Sequence, residues 1–396
     1  MVANDEFNHT ESQKSIVMKK KNNILFLTLR VFSATGGIEK VCRVAGKALY
    51  ENSITNNSRV EVYSMYDHKK DVYQNNYFPN EIFKGFKEQK IKFILSSLWN
   101  ARNAETIIIS HINLIVVGWI IKLLMPKKKI LMFAHGIEVW GDLNRFRKLM
   151  LRKCDIIIPV SQFTAKKLID LNGVLNEKCS ILNNCLDPFL PLGKEYKHND
   201  ELRSIYGFSK EDIILFTLTR LSSKERYKGY DKVISAMHLL KSKYNNVKYL
   251  IAGSYDVEEK KYLDELSQKY SLNEDIFITG FIPDCELVSH FKMADIYVMP
   301  SMKEGFGIVF IEAMNYGLPV IAGNKDGSVD ALLNGELGIL VNPLNVNEIG
   351  DALHEIIKNK NSHIPNRAKL LEHFSYESYK YKIEHILNTV YKECRI

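Results

Sequence analysis

A chain of 396 residues is long enough for two domains, each able to bury its own core. Its 46% apolar and 25% charged content is that of a soluble globular protein, which excludes a disordered or fibrous chain. The net charge of +8 suits small anionic ligands or an anionic membrane surface, and no aromatic-interleaved basic stripe or reader motif points to nucleic acid as a partner.

Residues 1–21 are polar and read as a disordered tail. Lys19-Lys20-Lys21 before Ile24–Leu29 imitates a signal peptide, but the apolar run is short and no cleavage pattern follows. Ile24–Leu29 reads as a buried strand that leads through Ser33-Ala34-Thr35-Gly36-Gly37 into a helix from Ile38 to Tyr50. Further strands are predicted at Val60–Ser64, Thr106–Ser110, Ile130–Phe133 and Asp155–Val160, with helical patterns between them. Phe83–Trp99 reads as one helix, with Phe83, Phe86, Ile91, Ile94 and Leu98 on one face and Lys84, Lys87, Lys90 and Lys92 around it. That face is either core or an interfacial surface docked on anionic lipid, and Lys127-Lys128-Lys129 adds a second basic patch. Ile112–Met125 contains Asn113 and Lys122 and is shorter than the ~20 residues of a spanning helix. A cytoplasmic protein is expected, peripheral on the inner membrane face if 83–99 docks there. Six cysteines without a CxxC pair imply free thiols in a reducing compartment and no zinc site.

Residues 189–210 are loop-like and polar and read as the linker. The second half starts the same alternation again. Its strands are Ile213–Thr219, Val247–Ala252, Ile276–Thr279, Ile296–Met299, Val320–Ala322 and Ile339–Val341. Its helices are Tyr230–Tyr244, Glu258–Tyr270, Cys285–Ala294, Phe306–Tyr316 and Val346–Lys358. Strands alternating with helices predict parallel sheets covered on both faces, with ligands at the carboxyl ends of the strands. The expected units are a tail (1–21), a first domain (22–190), a second domain (205–375) and a tyrosine-rich C-terminal helix (376–396) of unassigned placement.

Three features carry chemistry. Arg220 ends a strand and Lys228 precedes Gly229, offering a planar fork and a mobile cation for phosphate. In P-S-M-K-E-G-F-G-I-V-F-I-E-A-M-N-Y-G-L-P, Pro300 to Pro319, Gly305 and Gly307 open a helix whose amides favour an anion. Glu304 and Glu312 flank that anion site; they suit sugar hydroxyls rather than phosphate. His135, before Gly136 at a strand end, also faces the crevice. As a dinucleotide fingerprint, Gly305-x-Gly307-x-x-Phe310 is broken at its third position.

On these residues the chain resembles the family 4 retaining glycosyltransferases over about residues 22–394. The match is strongest at Gly36-Gly37-Ile38-Glu39, at Arg220 with Lys228-Gly229, and at Glu304-Gly305-Phe306-Gly307, Glu312-Ala313-Met314 and Gly317-Leu318-Pro319. The resemblance implies a GT-B fold, α/β, with two Rossmann-like doubly wound domains facing a central cleft. It also implies roles. Gly36 and Gly37 approach the donor phosphate, His135 contacts the transferring sugar, and Arg220 and Lys228 neutralise the diphosphate. Glu304 binds sugar hydroxyls, with Gly305, Phe306, Gly307, Ile308 and Val309 along the helix start. Glu312 holds the ribose, and Phe281 within Gly280-Phe281-Ile282 lines the base. Lys224 competes with Lys228, and Cys185 replaces the glycine usual after Asn184. No D-x-D occurs, so no metal and no cofactor is expected. The function implied is retaining transfer from a nucleotide diphosphate sugar to a saccharide or polyprenyl- or lipid-linked acceptor in surface polysaccharide synthesis. A GT-B epimerase, a phosphorylase and a non-catalytic nucleotide-sugar-binding partner are the alternatives.

Overall fold

Continuous apolar runs without polar alternation favour strands buried on both faces, the signature of parallel sheets. The computed structural model describes residues 22–73, 75–191 and 199–392 and contains two such sheets. The tail read at 1–21 and part of the linker fall outside the described residues.

The first sheet holds β1 (Ile24–Thr28), β2 (Val60–Ser64), β3 (Phe83–Gly85), β4 (Thr106–Ile109), β5 (Lys129–Ala134) and β6 (Ile156–Pro159). The second holds β7 (Ile213–Leu218), β8 (Val247–Ala252), β9 (Ile276–Gly280), β10 (Ile296–Met299), β11 (Val320–Gly323) and β12 (Ile339–Val341). Strand order is β3-β2-β1-β4-β5-β6 in one and β12-β11-β10-β7-β8-β9 in the other, the same doubly wound order twice, all parallel. Alternation sorts each strand between two apolar layers: Ile24 and Phe26 face one, Leu25 and Leu27 the other. In the second sheet Ile214 and Phe216 likewise oppose Leu215. The winding of the sheet reverses between β1 and β4, and between β7 and β10, so a crevice opens at the carboxyl ends of those pairs.

The helix expected over Phe83–Trp99 is a strand, a turn and a helix. Phe83 and Gly85 pair with Val62 and Ser64 of β2, and a β-carbon on Gly85 would meet the Asp67 carbonyl at 2.5 Å. Lys87 and Glu88 then take left-handed φ of 47° and 63°, and the helix begins only at Lys90. Three-residue spacing of Phe83 and Phe86 therefore comes from a strand and its turn. Residues read as loop around 200 also differ: Asp200–Ile205 is a short helix capped by Asn199. Its Arg203 is buried, donating to Asp295 at 2.6 Å and to the Met293 carbonyl at 2.9 Å. The later helix starts at Ile308 rather than Phe306, because Gly307 sits at φ 85° as its N-cap.

The chain returns to its first half at the end. The helix Tyr376–Lys392 packs Tyr379, Ile383, Leu387 and Val390 into the layer containing Phe26, beside the helix Gly37–Thr55. Glu51 anchors it, accepting from Tyr376 Oη at 2.9 Å and Lys380 Nζ at 2.8 Å. The second sheet is thereby tied to the first at both ends. All three tryptophans (Trp99, Trp119, Trp140) lie in the first half, so their fluorescence reports its unfolding. Leu387→Ala, a buried truncation on a helix supplied from the far end of the chain, lowers first-half stability by about 2–5 kcal/mol in urea titrations followed by that fluorescence.

Candidate active site

On the first-sheet side, one buried carboxylate shapes the loop after β1. Asp67 accepts from the Val31 and Ser33 amides at 2.6 and 2.7 Å and from Ser64 Oγ at 2.6 Å. The loop delivers Gly36 in extended conformation as N-cap of the helix Gly37–Thr55, without any side-chain cap. A β-carbon on Gly37 would meet nothing within 4 Å, so the helix opens onto free space. Just past β5, His135 places Nε2 2.7 Å from the Ser110 carbonyl oxygen. A carbonyl only accepts, so Nε2 carries the proton and Nδ1 is left as a lone-pair acceptor. That Nδ1 is buried with no partner among the described residues. The neighbouring carboxylate, Glu138, is taken by the His135 and Gly136 amides at 2.5 and 3.2 Å.

On the second-sheet side, the loop after β7 carries the two cations. Arg220 is largely exposed and pairs with Glu225. Lys228 Nζ lies 2.5 Å from Glu304 Oε2. Burial works against its charge, but Glu304 outweighs burial and holds its pKa above the usual lysine range. Lys224 is exposed, so it is Lys228 that meets Glu304. A clamp holds this loop from behind. Buried Glu259 accepts from Arg226 Nε and Tyr230 Oη, both at 2.8 Å, while Asp256 accepts the Ser223 amide at 3.0 Å. Asp326 does the same for the turn after β10, accepting the Glu304 amide at 2.6 Å and the Ser328 amide at 2.9 Å. Burial raises the Asp326 carboxyl to about 6. Gly307 then opens the helix Ile308–Asn315 above it, while the Phe306 ring turns into the core against Phe374.

The two sides touch at Gly305. A β-carbon there would lie 1.9 Å from the His135 carbonyl, and one on Gly327 would lie 2.0 Å from the Gly305 carbonyl. Further bridges cross the same seam. Lys40 Nζ sits 2.8 Å from Glu312 Oε1, and Asp330 accepts the Gln162 amide at 2.9 Å and Asn183 Nδ2 at 3.3 Å. His135, Gly36, Gly37, Lys228, Glu304, Gly305, Gly307 and Glu312 thus border one crevice. Glu312 is only 3% exposed and is capped by Lys40, whose charge it sustains against burial. Ile308 lines a small cavity with Lys40 and Glu312, and Val309 is half-buried beside it. Phe281 stands apart, 61% exposed beyond β9, three strand spacings from β10, or roughly 14 Å along the sheet. Sequence reasoning missed Lys40, Asp67, Glu259 and Asp326. Lys40 stood directly after the recognised Gly36-Gly37-Ile38-Glu39, and Asp326 directly before Gly327-Ser328, which fits the family pattern more loosely.

Residues 198–381 match the family described as Glycosyl transferases group 1. The GDP-mannose-dependent alpha-(1-6)-phosphatidylinositol monomannoside mannosyltransferase of Mycobacterium tuberculosis is 26% identical over 247 residues, covering 58% of this chain and 60% of that protein. The capsular polysaccharide biosynthesis glycosyltransferase CapM of Staphylococcus aureus is 26% identical over 242 residues, covering 60% and 62%. The chain thus spans about three-fifths of the length of these curated relatives. Among solved structures, Anabaena HepE in complex with UDP and glucose superposes with a TM-score of 0.74 at 19% identity, over 93% of this chain and 100% of that one. This likeness and the twin six-stranded sheets make the fold GT-B.

Two consequences follow from the buried carboxylates. Glu259→Ala leaves Tyr230 Oη with only the more distant Ser222 carbonyl at 3.4 Å and frees Arg226, lowering second-half stability by about 1–3 kcal/mol in urea unfolding. Asp326 binds its proton more tightly folded, at about 6, than at its ordinary 3.8. Its contribution is therefore greatest below 3.8 and is lost as pH rises toward 6, by about 3 kcal/mol. The stability difference between wild type and Asp326→Asn, measured by urea unfolding across that window, falls with rising pH and is flat above it.

Proposed function

We propose that the chain is a retaining glycosyltransferase of the family 4 type, a reading supported by the match of residues 198–381 to the group 1 glycosyl transferases and by the GT-B fold. Its donor is a nucleotide diphosphate sugar and its acceptor a saccharide or a polyprenyl- or lipid-linked saccharide. The observation that carries this reading is the Lys228–Glu304 pair at the amino end of the helix Ile308–Asn315, where cation, carboxylate and helix amides converge. The diphosphate is seated by Lys228, by Arg220 once Glu225 releases it, and by the amides opening that helix. Glu304 takes hydroxyls of the transferring sugar. Glu312 takes the ribose as Lys40 gives way, and Phe281 offers its exposed ring to the base.

In the transfer step the bond from the sugar's anomeric carbon to the diphosphate oxygen breaks while the acceptor hydroxyl bonds to that carbon from the same face. The diphosphate oxygen receives the acceptor's proton. Both carboxylates nearest His135 are already engaged, Glu138 by backbone amides and Glu304 by Lys228, which favours the departing phosphate as proton acceptor. Charge building on the leaving group meets preorganised cations and amides, and the reading assigns no metal or cofactor to this step. His135, with Nδ1 free, accepts from a hydroxyl of the sugar. The relatives named for phosphatidylinositol mannoside and capsular polysaccharide support a surface polysaccharide or lipid-linked glycoconjugate as product.

A thermal-shift screen across nucleotide sugars identifies the donor, since ligand at 100 times its Kd stabilises by about 2.7 kcal/mol. With that donor and an accepting saccharide, Glu304→Ala and Lys228→Ala each cut turnover by about 10²–10³-fold with an unchanged circular dichroism spectrum, and EDTA leaves wild-type turnover unaltered. Wild-type turnover in both variants rejects the site. Release of a changed nucleotide sugar without acceptor makes the protein an epimerase instead.

A further inference from the structure

The helices Lys90–Asn100, Ile115–Leu124 and Arg145–Lys153 lie side by side over the layer containing Leu25, Leu27 and Ile107. Each buries one side there, through Phe93, Ile121 and Met150. The outer side of such helices is ordinarily polar. Here Ile91, Leu95 and Trp99 are 77%, 62% and 64% exposed, Leu123 and Leu124 project from the second helix, and Phe146 from the third. The same three helices contain eight lysine and arginine residues and not one Asp or Glu, while the whole chain carries a net charge of only +8. Lys122 and Lys148 are paired with Asp155 and Asp142; Lys90, Lys92 and Arg145 stand exposed beside the apolar side chains.

We propose that this three-helix face docks the protein on a bilayer rich in anionic phospholipid. Exposed leucine and tryptophan gain from leaving water at the headgroup–acyl boundary, and the surrounding cations gain from the negative surface potential. A protein partner fits less well, because interface cores are depleted in lysine, whereas here cations interleave with the apolar residues. No described helix is long and apolar enough to cross a membrane, so contact is from one side. The third helix also adjoins the loop that holds His135: Arg147 donates to Asn113 Oδ1 at 3.5 Å, three residues past Ser110, whose carbonyl accepts from His135. The inference deepens the proposed function, since a lipid-anchored acceptor could enter beside His135 without leaving the bilayer. Docking itself stands on the surface alone.

The test is co-sedimentation of the full chain with vesicles of phosphatidylglycerol and phosphatidylcholine in equal parts, and of phosphatidylcholine alone. Wild type sediments with the anionic vesicles, less so at high salt, and stays in solution with the neutral ones. Leu95→Ser with Trp99→Ser and Leu124→Ser, and separately Lys90→Glu with Lys92→Glu, each weaken binding by about tenfold or more. Circular dichroism spectra and thermal midpoints of both variants match wild type, which shows they are folded. Absence of binding to anionic vesicles, undiminished binding in both variants, or a wild-type dimer that the variants convert to monomers overturns the proposal. Lys228→Ala still sediments with the vesicles, so failure of the transferase reading and failure of docking are read separately.

Discussion

Where the two sheets meet, no side chain fits: a β-carbon at Gly305 would lie 1.9 Å from the His135 carbonyl, so the strand-end turns of the two halves approach backbone to backbone. That contact decides the geometry around it. It brings the amino end of the helix Ile308–Asn315 against the loop after β5, and it sets Glu304 and His135 on facing sides of one seam. Gly327, pressed on the Gly305 carbonyl from the other side, leaves the turn no room to swing. A side chain at Gly305 would wedge the crevice apart by about an ångström or more, far beyond the precision that positioning of reactants requires.

Charge in the crevice is arranged in pairs. Lys228 holds Glu304, Lys40 holds Glu312 and Arg220 holds Glu225. An unpaired buried charge is costly, so a site that must present cations to one part of a ligand and carboxylates to another is stable when empty only if they neutralise one another. Ligand entry then becomes an exchange of partners. The exposed Arg220 is the cheapest to redirect, whereas Glu312, 3% exposed, can be reached only if Lys40 moves with the first sheet. Since Lys40 and Glu312 belong to opposite halves, that exchange couples occupancy of the second sheet to the spacing between the two.

Much of this was legible in the sequence because it depends on local order. Ile24–Thr28 and Ile296–Met299 are apolar without interruption, and burial on both faces of a parallel strand demands that. Glu304, Gly305, Gly307 and Glu312 fall within one turn and one helix, so their spacing already encoded a shared site. Phe83–Trp99 misled for a specific reason. Two phenylalanines three apart satisfy a helical period, while the pairing of Phe83 with Val62 is a contact with another strand that no local window contains. The supporting carboxylates were illegible on the same ground. Asp67, Glu259 and Asp326 look like surface acids until the fold buries them against amides and an arginine up to 36 residues away in the chain.

Those supporting carboxylates also explain how rigid and mobile parts coexist in one crevice. Asp326 must satisfy two amides at once, from Glu304 and Ser328, and a single ionised carboxylate does so with both oxygens despite the burial that raises its pKa. Glu259 similarly locks Arg226 and Tyr230 behind the loop that carries Lys228. Backbone in the second half is thus fixed from beneath, and freedom there is confined to the long cations above it, Lys228 and Arg220, whose flexible stems can change partners while the backbone stays still. The backbone at Glu304 therefore keeps its position whether or not Lys228 remains bound to the carboxylate. Under the proposed function, an acid on fixed backbone beside movable cations suits a site that holds a neutral sugar while negative charge leaves.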